Sequence, residues 1–218
     1  MAKAPVYPVS RSGKPPKAKR IEGVLLAAGE SRRMGFPKPL LPINGQTFAN
    51  HITTSMLSAV ARLIIVLGAH RDAVAAALPA DDRLTIVENH EYRLGQLSSI
   101  RCALRAVAAD TDAVIVHLVD HPTVRATTFR RLVDEYELSH RPILVARYNG
   151  RGGHPVLFDR SVFAELDRAP LEIGARAVLK ADPTRVLYVD LDDPGVLLDL
   201  DTPDDLARAG LRLPSPDS

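Results

Sequence analysis

The chain has 218 residues, 46% apolar and 25% charged, with a formal net charge of +2. That length can bury a full core without covalent staples, and a single cysteine, Cys102, excludes an internal disulfide framework. No apolar run reaches the roughly 18 residues of a membrane-spanning helix, and no apolar leader opens the chain, so a cytoplasmic protein is expected.

The charge is unevenly placed. Residues 1–20 carry Lys3, Arg11, Lys14, Lys17, Lys19 and Arg20 and no acid, together with Pro5, Pro8, Pro15 and Pro16. So little apolar surface cannot order a segment, which reads as a disordered basic arm. It is either a solvated tail or a surface for nucleic acid or acidic partners. The remainder is slightly acidic, which argues against a nucleic-acid footprint on the folded body. Residues 21–212 read as one domain, since no long linker or repeat divides them, and 213–218 as a tail.

From Ile21 onward, apolar runs rich in Val, Ile and Leu alternate with helical patterns. The runs at 21–28, 63–67, 84–88, 113–119 and 142–146 are short and bounded by polar residues, as in strands buried on both faces. Helical periodicity covers 48–60, 71–78, 97–109 and 127–138, where Phe129, Leu132, Val133 and Tyr136 share a face. Strand and helix in alternation predict an α/β fold, a doubly wound and mostly parallel sheet in three layers. After residue 147 the rhythm changes. "YNGRGGHPVLF" predicts a Gly-rich turn and a short strand, 160–167 and 172–181 predict helices, and 185–189 and 196–200 predict strands. A last helix starts at Thr202 as N-cap with Pro203 at its first position.

The first strand opens into "LLAAGESRRMGFPKPLL". Glycines 29 and 35 let a backbone approach an anion, and Arg32, Arg33 and Lys38 supply charge-assisted donors. A solvated surface loop fits the charges about as well. Neither G-x-x-x-x-G-K-[ST] nor G-x-G-x-x-G is present, so a P-loop ATPase and a dinucleotide-binding dehydrogenase are unsupported. Asp120 in "LVDHPTV" ends a buried run and suits a divalent ion opposite a cationic loop; it also suits a simple turn before Pro122, with His121 as polar surface. In "DLDTPDDL", alternation along an extended segment puts Asp199 and Asp201 on one face, where one could complete a metal site or both could serve helix capping. In "GQLSSIRCAL", Gly95, Ser98 and Ser99 begin a helix whose free N–H groups could hold a base, ribose or phosphate; capping by either serine explains them equally.

Taken in order, "LLAAGESRRMGFPKPLL", "NHEYRLGQLSSI", "VDHPTV", "GGHPVLF" and "DLDTPDDL" resemble the signature of the MobA-like nucleotidyltransferases over residues 21–210. Within that family the chain looks most similar to the molybdenum cofactor cytidylyltransferases, because guanylyltransferase relatives usually read LAGG where Leu26-Ala27-Ala28-Gly29 stands. The resemblance implies a Rossmann-like fold and a Mg²⁺-dependent transfer of a nucleoside monophosphate from CTP to a phosphorylated, molybdopterin-like acceptor, with release of pyrophosphate. It implies a triphosphate loop of Leu26, Ala27, Ala28, Gly29, Ser31, Arg32 and Gly35, with Arg32 and Lys38 neutralising phosphate charge. Asn89, Gly95 and Ser99 would lie near base and ribose. Asp120 would hold Mg²⁺, with Asp201 as second ligand and Asp199 as fallback, and Gly153, His154 and Pro155 would face the acceptor. A molybdoenzyme or a chaperone is the candidate protein partner. His121 departs from the Gln or Met of many relatives, which bears on the acceptor. A guanylyltransferase, a transferase for another phosphorylated small molecule, and a non-catalytic nucleotide-binding accessory protein are the competing readings.

Overall fold

The computed structural model describes residues 19–214. Most of the basic arm and the end of the C-terminal tail lie outside the described residues. Strand β1 (Ile21–Ala27) is buried along its whole length. A small hairpin, β2 (Pro42–Ile43) and β3 (Gln46–Thr47), precedes helix α1 (Phe48–Leu57). Then come β4 (Arg62–Leu67), α2 (Arg71–Ala77), β5 (Leu84–Glu88), α3 (Gln96–Ala106), β6 (Ala113–Leu118) and α4 (Ala126–Ser139). The chain closes with β7 (Ile143–Tyr148), β8 (Arg151–Asp159), α5 (Phe163–Arg168), α6 (Arg176–Ala181), β9 (Val186–Asp190) and α7 (Pro203–Arg208).

Seven strands form one sheet in the order β5-β4-β1-β6-β8-β7-β9. Pairings are parallel except on both sides of β8, which runs against β6 and β7. The doubly wound, mostly parallel α/β fold expected from the sequence is therefore present. Side-chain alternation divides the core in two. Leu25, Ile65, Ile115 and Leu144 point to a layer containing Phe48 and Ile52 of α1, Phe129 and Leu132 of α4 and Leu206 of α7. Val24, Ile64, Val114, Val145 and Phe158 point to the opposite layer, with Ile100 of α3, Leu166 of α5 and Val178 of α6. Each face is covered, which is why the strands read as unbroken apolar runs.

The second half differs from expectation in several places. Residues 151–153 belong to a nine-residue strand, and the turn is confined to Asn149 and Gly150, at φ 46° and 74°. Two successive positive φ angles make the hairpin turn whose twist matches its strands, and Asn44-Gly45 does the same between β2 and β3. The helix expected at 172–181 spans only Arg176–Ala181, behind Gly174 at φ 73°. No strand forms at 196–200. Pro194 begins a one-turn 3-10 helix (Pro194–Val196) whose Gly195 N–H is captured by the Asp193 carboxylate at 3.0 Å. Val196 and Leu200 are buried as plugs rather than ladder residues. Helix α7 is as predicted: Thr202 and Asp205 form a reciprocal capping box with Pro203 in the first turn.

Candidate functional site

The carboxyl ends of β1 and β6 lie side by side, since the two strands pair in parallel register from Ile21↔Ala113 to Leu26↔Leu118. Both strands release their chains at this edge, where ligands sit in open α/β sheets. After β1, Ser31 takes φ 54° and Gly35 φ 70°, and the Met34 and Gly35 N–H groups both donate to Ser31 O. The Met34 side chain, 2% exposed, anchors this loop in the core. Ser31 Oγ accepts the Lys38 N–H at 2.9 Å, which ties the two ends of the loop together.

After β6, Asp120 O accepts the Leu200 N–H at 2.8 Å, which brings Asp201 alongside. Lys38 Nζ donates to Asp201 Oδ1 and lies 3.7 Å from Asp120 Oδ2. Arg33 Nη2 donates to Asp201 Oδ2 at 2.5 Å. Partial burial pushes the Asp201 carboxyl up, but the Lys38 hydrogen bond and charge, followed by those of Arg33, outweigh it and hold the carboxyl below its ordinary range. Asp120 Oδ1 is buried without a hydrogen-bond partner.

No cluster of three or more His, Cys, Asp or Glu suited to a metal occurs among the described residues. Two carboxylates, one with an orphaned oxygen, nevertheless fit an ion such as Mg²⁺. That ion keeps several waters and is held by one or two protein carboxylates plus substrate phosphates.

Around this pair lie two clefts. The first, of about 500 Å³, is lined by Leu26, Ala27, Ala28, Gly29, Ser31, Arg32, Lys38, Gly95, Ser99, Asp120 and Asp201, together with Arg33, Tyr92 and Gln96. Gly35 and Asn89 are not in its wall. Asn89 is 5% exposed and works from behind: its Nδ2 donates to Ser98 Oγ and Ser99 Oγ, both at 2.9 Å, and its Oδ1 accepts the Glu91 N–H. The serines therefore do not cap α3; Gly95, at φ 97°, occupies the N-cap without a side-chain bond. Arg32 is paired with Glu30 at the rim rather than with the carboxylates. Glu30 also accepts from Arg93 at 2.8 Å and from the Tyr92 hydroxyl at 3.3 Å. The Arg93 and Arg32 hydrogen bonds, in that order, keep its carboxyl below the usual range.

The second cleft, about 770 Å³, shares Gln96, Leu118 and Asp120 with the first. Because β8 is antiparallel, its opening residues face this edge, and Gly152, Gly153 and His154 line the cleft while Pro155 does not. A Cβ on Gly153 would lie 2.1 Å from Val196 O, so only glycine lets the two segments meet. Apolar Val145, Val156 and Phe158 contribute to the cleft wall. Arg176 and Lys180, four residues apart on α6, also line it, and neither forms an ion pair among the described residues.

Asp199 lines this second cleft and Asp201 the first. The expectation that they share a face fails because residues 196–200 are not extended. His121 is not surface either: it is 7% exposed, and its Nδ1 faces Gly195 O at 3.3 Å, so that nitrogen carries the proton. Its Nε2 stands 3.9 Å from Asp120 Oδ1 and its ring lies 5.4 Å from that of His154. Burial, then electrostatic repulsion from the neighbouring His121 and Arg176 side chains, pushes the His154 imidazole down to about 3. Tyr92 and Gln96 flank Gly95 in a motif visible in the sequence, whereas Arg33 acquires its place only through Asp201, 168 residues away.

Residues 23–186 match the MobA-like NTP transferase domain. The chain is 35% identical over 200 residues to nicotine blue oxidoreductase of Paenarthrobacter nicotinovorans, covering 86% of this chain and 95% of that protein. It is 28% identical over 193 residues to the molybdenum cofactor cytidylyltransferase of Escherichia coli K12, covering 88% and 96% respectively. Among solved structures, Rv0371c of Mycobacterium tuberculosis H37Rv is 36% identical and superposes with a TM-score of 0.74 over 88% of this chain and 98% of that one. A second structure of Rv0371c, 34% identical with a TM-score of 0.68 over 87% of this chain and 97% of that one, is a complex with manganese.

Proposed function

The chain belongs to the MobA-like NTP transferase family and is a nucleotidyltransferase of that kind; from that premise we propose that it transfers CMP from CTP to a phosphorylated acceptor, molybdenum cofactor. The observation that carries this reading is Asp120 in the wall common to both clefts, with Lys38 and Asp201 grouped beside it in the first. A donor triphosphate in the first cleft and an acceptor phosphate in the second would meet there. CTP is favoured by the LAAG form of the first loop, in which Ala28, a residue of the first cleft, stands where guanylyltransferase relatives usually carry glycine. The named cytidylyltransferase relative supports the same choice.

An acceptor phosphate oxygen attacks the α-phosphorus, a P–O bond forms, and the bond to pyrophosphate breaks in line. A phosphate monoester is already ionised near neutral pH, so the protein acts by positioning and by neutralising charge. Lys38, with Arg33 and Arg32 freed from their carboxylate partners, balances charge on the departing pyrophosphate. Gly29 and Ser31 hold the polyphosphate against the loop. Gly95, Gln96 and Ser99 orient the nucleoside, with Asn89 fixing Ser98 and Ser99 from behind. Gly153 and His154 contact the acceptor body, and Arg176 and Lys180 attract its anionic parts. Asp120 and Asp201 would hold Mg²⁺, which when bound supplies Lewis-acid stabilisation of phosphate oxygens.

Pyrophosphate release with CTP, GTP, ATP or UTP plus molybdopterin tests the reading: CTP should support it and GTP should not. Asp120→Asn should lower kcat by about 100-fold or more while changing CTP affinity far less. Wild-type turnover in that variant would refute the metal assignment. A second reading follows from the 35% identical oxidoreductase: the apolar wall of the second cleft would take a flat aromatic substrate for reduction. Enzyme-dependent reduction of such a substrate by an added electron donor, and no pyrophosphate release with any triphosphate, would favour it.

A further inference from the structure

Lys38 places its ammonium between the two carboxylates assigned above to a divalent ion. Its side chain is 11% exposed, it donates to Asp201 Oδ1, and it stands 3.7 Å from Asp120 Oδ2. Arg33 takes the other Asp201 oxygen. The acidic pair is thus already neutralised from within, and a divalent ion entering alone would meet two fixed positive charges at close range. Lys38 is free to leave without moving the loop, because its backbone is pinned to Ser31 Oγ at 2.9 Å while its four-carbon stem can rotate.

We propose that Lys38 is a resident cation standing in for the divalent ion between Asp120 and Asp201 until a nucleotide arrives. The incoming polyphosphate then draws the ammonium onto its own oxygens and releases both carboxylates. The same residue serves the acids in one state and the phosphates in the other. Metal and nucleotide therefore bind as a pair, each raising the affinity for the other by the same factor. The inference rests on the metal site proposed for the transferase, and the experiment separates failure of one from failure of the other.

The probe is Mn²⁺, followed by the loss of its free electron-paramagnetic-resonance signal on titration, first without nucleotide. Wild type should bind weakly. Lys38→Met, which keeps the apolar stem and deletes the charge, should bind at least ~10-fold more tightly. Lys38→Arg, which keeps the charge, should stay close to wild type, and Asp120→Asn added to Lys38→Met should remove the gain. With a non-cleavable α,β-methylene CTP analogue, wild type should gain Mn²⁺ affinity and Lys38→Met should gain less. Circular dichroism checks that each variant is folded, and the Lys38→Arg comparison stands even if Lys38→Met is not. Equal Mn²⁺ affinity in wild type and Lys38→Met, or tighter binding in Lys38→Arg, overturns the role given to Lys38 and leaves the metal site intact. Mn²⁺ binding indifferent to Asp120→Asn, with and without the analogue, overturns the metal site itself.

Discussion

Replacing Asp193 by alanine should cost more stability than any other single carboxylate removal near the clefts. The side chain is 3% exposed. Its Oδ2 accepts the Arg125 N–H at 2.9 Å and the Thr128 hydroxyl at 2.6 Å, and its Oδ1 accepts the Gly195 N–H at 3.0 Å. Helix α4 has no side-chain cap at Arg125, and Asp193, 68 residues away, instead holds its start through the Arg125 N–H and the Thr128 hydroxyl. Alanine would leave the Gly195 N–H and the Thr128 hydroxyl buried, and the Arg125 N–H partly buried, around a small void. A hydrogen bond to a charged acceptor contributes about 1.5–3 kcal/mol. Because the three share one carboxylate and do not add fully, a combined loss of about 3–5 kcal/mol is expected. At about 2–4 °C per kcal/mol for a chain of this size, Tm should fall by roughly 6–20 °C. Thermal melts by circular dichroism would measure it. Thr128→Val removes one of the three bonds and should cost less, about 1.5–3 kcal/mol. The damage should also reach the cleft, since Gly195 O supports the His121 ring beside Asp120. A Tm for Asp193→Ala within ~2 °C of wild type would refute this account of the turn.

Two glycines separate binding from folding. A Cβ on Gly29 meets nothing within 4 Å, whereas one on Gly153 would sit 2.1 Å from a backbone oxygen. Gly29→Ala should leave Tm unchanged while raising the KM for nucleotide; Gly153→Ala should lower Tm or abolish soluble expression, and an undisturbed melt would contradict the contact with Val196. His154 provides a pH dependence. Its folded pKa is pushed down from 6.5 to about 3 by burial first, then by His121 and Arg176. The unfolded chain therefore binds its proton more readily. The stabilisation is complete above the ordinary histidine range and is lost as pH falls from 6.5 toward 3. His154→Gln should flatten that limb of the stability curve, as read by urea unfolding across the range; an unchanged slope would mean the ring titrates normally.

Strands β1, β4 and β6 were legible because a strand buried on both faces needs only an unbroken apolar run. The same property made residues 196–200 misleading. "VLLDL" satisfies the pattern, but Asp193, Pro194 and Gly195 bend the chain just before it, and Val196 is then fixed against Gly153 across the fold. The first-strand loop could be read locally, since its glycines and cations are neighbours in the chain. The choice between Asp199 and Asp201 could not, because it depends on whether the backbone is extended, and that is decided by packing. His121 was misjudged for a related reason: its burial comes from Gly195 and His154, both remote in sequence.

The reversed direction of β8 has an evolutionary consequence. It brings the start of a strand, and the Asn149-Gly150 hairpin before it, to the edge where all other strands end. Apart from Asp201, the first cleft is encoded entirely before residue 121, whereas most of the second is encoded between 145 and 199. The two halves of the molecule can therefore diverge separately. A lineage could acquire a new acceptor by altering one contiguous stretch of gene while leaving the donor machinery untouched, and grafting residues 145–199 between relatives is the natural unit of exchange.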